Sequence, residues 1–348
     1  MKKNTEITKE IKSVEKLIKK DLSKEKIISG LYKYIFKSSG KKIRAKLSLI
    51  SSSTKNHKDR LKLASVIELL HTATLVHDDV VDNSLIRRGA KSVNNIWTNS
   101  HGVLIGDYIY SKAFMLMVDI GNKKILKELA NATNDISQGE LIQLESVQNI
   151  NISINKLKKI SFYKTGRLFE AAAKTGAILT SNSQAYIKNI SECAKNLGMV
   201  FQIRDDLLDY SPEIEIGKPA FQDIKEGKVT YPFFYAFKNA NQMEQRKLRT
   251  YLGNKKLNTS EVNYLITKLD GIKKTEQLAR KYHIKAIESA KRINNLSVRQ
   301  EMIELTNIAL TRKKWSLTLR IHTIKKNLLH AQMVTYLLRR EMVDCPQT

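Results

Sequence analysis

No proline occurs before Pro212 in this 348-residue chain, and only three follow it. Proline removes a backbone donor and clashes with the preceding helical turn, so it interrupts long helices wherever it falls. A proline-free first half is therefore free to be helical throughout. Its residue pattern agrees: the apolar Leu63, Val66, Ile67, Leu70 and Val81, with Thr74 among them, recur near the three- and four-residue steps of one helix face. The same period predicts helices over 104–118, 158–180, 185–208 and 278–296, with no alternating strand pattern between them. A chain of this length with 42% hydrophobic residues can bury a large core. Nothing resembling a linker, repeat or low-complexity block divides it. The expectation is an all-α, single-domain helical bundle over residues 1–312. Residues 313–348 form a basic, moderately apolar C-terminal extension, readable as an amphipathic helix at a membrane surface or as a tail. No role is assigned to it.

The chain carries 61 lysines and arginines against 34 acidic residues, a net charge of +27. Such a balance raises nucleic acid or an anionic membrane as a partner. However, 46 of the basic residues are lysines, spread along the chain and mixed with glutamates, whereas base readout leans on arginine. A solvated basic surface is the simpler reading, and no nucleic-acid partner is expected. Two cysteines make no disulfide framework and suit a reducing compartment. The N-terminus is charged throughout, unlike a signal peptide, and no window of about 18 uncharged apolar residues appears. A soluble protein of the cytoplasm, or of the plastid stroma if plastid-encoded, is expected.

Against that background, "LVHDDVVDNSLIRRG" puts Asp78, Asp79 and Asp82 at the end of an apolar helical run. There the helix dipole is negative and favours cations. Asp78 and Asp82 stack on one face, and two charges about 5 Å apart at an effective dielectric near 20 repel by roughly 3 kcal/mol. One such cluster can be a solvated acidic helix end. "FQIRDDLLDY" repeats it, however, with Asp205, Asp206 and Asp209. Two unfavourable clusters, both at helix ends bordered by apolar residues, point to a shared cation. All-oxygen ligands suit Mg²⁺, which binds through one or two carboxylates plus the phosphates of a substrate. A phosphorylated substrate also needs basic residues. Arg87 and Arg88 follow the first cluster, Lys41 and Arg44 lie upstream after Gly40, Lys164 and Thr165 sit in "FYKTG", and Lys228 follows the second cluster.

Taken in order, "GKKIR", "ELLHTATLVHDDVVDNSLIRRG", "GDYIYSKA", "YKTG", "FQIRDDLLDY" and "GKPAFQDIKEGKVTYP" resemble the trans-isoprenyl diphosphate synthases, over roughly residues 30–310. The resemblance implies a helical bundle around a deep central cavity, usually dimeric, with the two DDxxD motifs facing across its mouth. It implies Mg²⁺ on Asp78, Asp82, Asp205 and Asp209, with Asp79 and Asp206 assisting. Arg87, Lys164 and Lys228 would hold an allylic diphosphate. Lys41, Arg44, His71 and Arg88 would hold isopentenyl diphosphate, and Thr165 and Gln202 would point lone pairs at the developing cation. His77 is expected to be a packed histidine. The implied partners are the two diphosphates and a second copy of the chain, with transient membrane contact during product release. Two departures stand out. "GGKRxRP" reads Ser39-Gly40-Lys41-Lys42-Ile43-Arg44-Ala45 here, and Phe221 replaces the usual small residue of "GKPxGxD".

In such a family, aromatics just before the first motif stop chain growth. Ala73, Thr74 and Leu70 stand there instead, so a long product, of the kind attached to quinones, is expected, with Phe114 or Met117 as a deeper floor. A class I terpene cyclase would carry a different second motif. A non-catalytic subunit of a heteromeric synthase would have lost aspartates, and this chain keeps all six. No Ser-His-Asp, Walker-loop or zinc spacing competes.

Overall fold

The computed structural model describes residues 2–20, 23–37, 40–52, 57–87, 89–180, 183–211 and 220–312. Arg88, the exit segment 212–219 and the extension 313–348 lie outside the described residues. Almost everything described is helix. The first half holds α1 (Lys2–Ile18), α2 (Lys26–Ile35), α3 (Ile43–Ser51), α4 (His57–Val81), α5 (Val93–Ile96), α6 (Asn99–Ile120) and α7 (Lys123–Leu144). Next come α8 (Ile154–Ser161), a π-helical turn (Phe162–Gly166), α9 (Arg167–Thr180) and α10 (Gln184–Asp209). The last part comprises α11 (Gln222–Lys225), α12 (Tyr231–Asn239), α13 (Gln242–Tyr251), α14 (Thr259–Lys268), α15 (Gly271–Lys291) and α16 (Leu296–Thr311).

The helix starts are written in short polar side chains. Thr98, Asn122, Ser153, Ser183, Asn241, Asn258 and Asn295 each accept a bond from an orphan backbone N–H in the first turn of the helix they precede. At Asn241 the bond is reciprocated by Glu244, a capping box.

α4 is the central element. Every residue from Leu63 to Leu70 is buried, Glu68 included, so the helix is covered on all sides rather than along one stripe. It packs closely on α6, where Gly106 leaves room for the His77 ring; a Cβ there would lie 2.2 Å from Nε2. His77 bonds the Val103 carbonyl at 3.2 Å and stacks on Tyr110, which makes it the packed histidine expected. α10 lies against α9, α15 and α16. One apolar core joins α3, α4, α6, α7, α9 and the first half of α10, and a second joins the end of α10 to α12, α14 and α15.

The expected helices appear, with three local differences. The single helix anticipated over 158–180 is broken by the π turn. The segment 278–296 is divided by the stop of α15 at Lys291 and the Asn295 cap. The loop after the first aspartate cluster forms a minimal antiparallel hairpin, Ile86–Arg87 with Ala90–Lys91, turned by Gly89 at φ 79°. No described helix is long and apolar enough to cross a membrane.

Candidate active site

The first acidic tip ends α4. Asp78 and Asp79 occupy its last turn, and Asp82 follows immediately, its N–H still bonded to the Asp78 carbonyl at 2.8 Å. Asp79 is buried and accepts a 2.6 Å bond from Arg87 Nε, while its carbonyl accepts bonds from Ser84 N–H and Asn94. Its work is to fasten the hairpin that carries Arg87. Asp82 accepts a 2.9 Å bond from Lys228 Nζ, a residue 146 positions later.

The second tip ends α10. Asp206 is buried, accepting from Gln202 Nε2 at 2.8 Å and from the Tyr231 N–H at 3.4 Å. Burial, reinforced by the Asp223 charge, raises its pKa to about 7. Asp209 is also buried, and its two oxygens accept the Gln222 and Asp223 N–H groups, capping α11. Burial and Asp223 push its carboxyl well above the usual range. Asp209, expected as a metal ligand, thus spends both oxygens on folding the following loop. Asp205 meets Arg312, just past the end of α16. Phe221 stands at φ 59°, a left-handed conformation that costs a side-chain-bearing residue roughly 1–2 kcal/mol. Its ring is fully buried, edge-on to Tyr210, and burial of such a side chain contributes about 1.5–3 kcal/mol. The position normally small is therefore filled without unfolding the turn.

Two lysines join the tips. Lys228 pairs with both Asp82 and Glu226. Burial opposes its charge, but Asp82, Asp223 and Glu226 outweigh burial and raise its pKa. Lys164 Nζ donates to Glu140 Oε2 and Gln143 Oε1, each at 2.7 Å. Burial opposes its charge too, and Asp78 and Glu140 restore it. The Lys164 charge in turn reaches Asp206, so the two acidic tips share a field. Beside Lys164 a chain of bonds runs from Thr165 Oγ1 to Gln202 Oε1 at 2.5 Å and on to Asp206. The π turn produces this placement: its extra residue per turn re-aims consecutive side chains, and such turns gather at functional sites.

A second basic group gathers around Arg44. Arg44 Nη1 meets His71 Nε2 at 3.0 Å and stacks its guanidinium 4.6 Å above the Phe169 ring. Lys41 Nζ is buried without a hydrogen-bond partner among the described residues, and burial with Arg312 and Lys46 lowers its pKa to about 8. Arg312 completes the cluster over the Phe201 ring; burial, Arg204 and Arg44 bring its pKa down to about 9. A buried ammonium facing other cations calls for an anion. Lys42, by contrast, pairs with Glu68 at 3.5 Å and serves the fold.

Most of the sequence-predicted site residues thus fall into two groups: the tips with Lys164, Thr165, Gln202, Arg87 and Lys228, and the cluster of Lys41, Arg44 and His71. Arg88 lies outside the described residues. Of the expected floor residues, Met117 is buried, whereas Phe114 is 44% exposed on α6. Sequence reasoning left Glu140, Gln143 and Arg312 out of the site. "GELIQL" did place Glu140 and Gln143 one helical turn apart, but nothing in that segment says which helix they meet. Arg312 sits at the boundary that the sequence pattern sets for the helical domain.

Among the described residues, no three acidic or histidine side chains converge as a self-sufficient metal cage. The donors at the two tips are carboxylate oxygens, the ligand type that suits Mg²⁺, which completes its shell with water and phosphate oxygens. Asp78, Asp82, Asp205 and Asp209 are the residues expected to hold it; here Lys228 faces Asp82, Arg312 faces Asp205, and Asp209 accepts two backbone N–H groups.

A polyprenyl synthetase family model matches residues 25–269. The chain belongs to the polyprenyl synthetase family. It is 33% identical to the octaprenyl diphosphate synthase of Escherichia coli (strain K12) over 293 residues, covering 83% of this chain and 91% of that one. To the all-trans-nonaprenyl-diphosphate synthase (geranyl-diphosphate specific) of Rhodobacter capsulatus it is 34% identical, covering 83% and 90%. Its fold matches the crystal structure of a polyprenyl synthase from Caulobacter crescentus CB15, complexed with calcium and isoprenyl diphosphate, at a TM-score of 0.82 and 31% identity, covering 88% and 95%. This polyprenyl synthetase is thereby a prenyltransferase of all-α fold.

Proposed function

We propose that the protein condenses isopentenyl diphosphate head-to-tail with an allylic diphosphate, in the presence of Mg²⁺, to make a long all-trans polyprenyl diphosphate, a precursor suited to a quinone side chain. The observation that carries this reading is the bridge from Lys228 to Asp82 across 146 residues, with Lys164 in the field of both tips. The two basic groups then correspond to two diphosphates. Arg87, Lys164 and Lys228 hold the allylic one; Lys41, Arg44 and His71, joined by Arg312, hold isopentenyl diphosphate.

Ionisation breaks the allylic C1–O bond and leaves the electron pair on the departing diphosphate. Lys164, Lys228 and Arg87 stabilise that charge where it develops. Bound Mg²⁺, held by Asp78, Asp82, Asp205 and Asp209, would supply Lewis-acid neutralisation of the same oxygens. Thr165 and Gln202 face the allylic cation with oxygen lone pairs. The isopentenyl double bond attacks the cation, and the proton then lost passes to the released pyrophosphate. Water would quench the cation and has to be kept from it. Ala73 and Thr74, a turn below Asp78 on α4, leave no aromatic barrier there, which supports a long product.

A homodimer is part of the proposal. Leu104, Met115 and Val118 of α6 are 67–70% exposed, with Val103 and Phe114 beside them, an apolar face that a second copy would cover. Light scattering should give twice the chain mass. The reaction is tested with Mg²⁺, an allylic primer and radiolabelled isopentenyl diphosphate; chloroform-soluble label, resolved against chain-length standards, is expected. No label in lipid with any primer overturns the reading.

A further inference from the structure

Lys164 has a defined partner set that neither aspartate motif supplies. α7 crosses the π turn at Gly139, where a Cβ would sit 2.7 Å from Tyr163 Cβ and 3.1 Å from Lys164 N. Only a residue without a side chain permits this approach, and it brings the next residue, Glu140, within 2.7 Å of Lys164 Nζ. Gln143, one turn further along α7, takes a second bond of 2.7 Å from the same nitrogen. An ammonium has three N–H groups. With two committed to α7, rotation about the Cε–Nζ bond is stopped and the third has one direction left.

Glu140 is otherwise costly. Its carboxyl is raised by burial and by Asp78 and Asp82, so the helix spends a further negative charge where diphosphate must enter. A second glutamine would hold the fold at no such cost. Lys228 shows the same arrangement: it pairs with Glu226 at 2.7 Å as well as with Asp82. Each bridging lysine thus carries one glutamate from outside the aspartate motifs.

We propose that Glu140, with Gln143, is the positioning residue for Lys164, fixing its ammonium so that one N–H is presented to the leaving diphosphate of the allylic substrate. This rests on the reaction proposed above. Glu140 touches no reacting atom; it acts through Lys164 alone, and the effect lies on ionisation rather than on capture of isopentenyl diphosphate.

The test is a double-mutant cycle of Glu140→Gln and Lys164→Met, read by single-turnover conversion of farnesyl diphosphate with radiolabelled isopentenyl diphosphate at saturating Mg²⁺. Glu140→Gln in the wild-type background should slow turnover by about 10- to 100-fold, the scale of a misplaced catalytic group. KM for isopentenyl diphosphate should stay within about twofold, and in the Lys164→Met background the same change should cost less than about twofold. An equal loss in both backgrounds, a wild-type rate, or a loss confined to KM for isopentenyl diphosphate overturns the proposal. Should thermal melting show that Glu140→Gln does not fold, Gln143→Leu replaces it, with a smaller loss expected that again vanishes without Lys164. An inactive wild-type control rejects the reaction and the positioning role together. An active control with additive variants rejects the positioning role alone.

Discussion

The crossing of α10 over the π turn sets the distance between Thr165 and Gln202, and Gly198→Ala tests it. At Gly198 an added Cβ would lie 2.6 Å from Gly166 Cα, with Phe169 Cβ at 3.0 Å. The nearer contact is backbone, so no rotamer change relieves it. Ordinary contact starts near 3.4 Å, so going from 2.6 to 3.4 Å separates the two helices by about 0.8 Å at this point. Overpacking of that kind costs about 1–3 kcal/mol, which a domain of this size survives. The site does not survive it equally well. Gln202 lies one turn further along α10, and its 2.5 Å bond from Thr165 would stretch past 3 Å, with Asp205 and Asp206 carried along. A displacement near 1 Å is worth up to about 10²-fold in rate. We expect the variant to keep native circular dichroism, melt a few degrees lower and lose about 10- to 100-fold in label incorporation. Native melting with wild-type turnover would refute the idea that this contact sets the site; unfolding would show that we have underestimated the strain.

Two further outcomes follow from the second basic cluster. Lys41 has its pKa lowered to about 8 by burial, below the ordinary 10.5, so between those values the unfolded chain binds more protons than the folded one. Stability contributed by this group should therefore rise with pH from about 8 to 10.5, while kcat/KM for isopentenyl diphosphate falls above about 8 as the ammonium is lost. Lys41→Arg should flatten that kinetic limb; an unchanged profile would remove Lys41 from the diphosphate site. Arg312→Leu leaves Asp205, its side chain 12% exposed, without its positive neighbour. The loss should fall below the about 3–5 kcal/mol of a clean buried pair, because Arg204 and Arg44 repel Arg312. Melting should drop without divalent cation and recover more than wild type on adding Mg²⁺; an unchanged melt would mean that the contact carries no energy.

Where helices run was legible in the sequence, because helical periodicity is local, although the breaks inside 158–180 and 278–296 were not. A proline-free stretch with a 3.6-residue period has little else to become, and the aspartate clusters fell at the ends of α4 and α10, as their patterns implied. Arg44 with His71, and Thr165 with Gln202, came from family likeness and meet in space. The π turn was not legible: its residues, Phe162–Gly166, fit a regular helix as well as the segments on either side do.

From the order of residues alone it follows that this chain is helical and bears two acidic helix ends with basic residues near them. Family likeness set Asp79 and Asp206 apart as assisting residues, but DDxxD is written the same way twice, and its spacing names no partner for any of the six. Tertiary structure gave Asp79 to Arg87, Asp206 to Gln202, Asp209 to α11 and Asp205 to Arg312. It also brought Glu140 and Gln143 to Lys164. The reason is geometric: residue spacing reports which side chains share a face of one helix, whereas a partner on another helix is chosen by where the two axes cross. Here those crossings are fixed by Gly106, Gly139 and Gly198, whose missing side chains let the backbones approach.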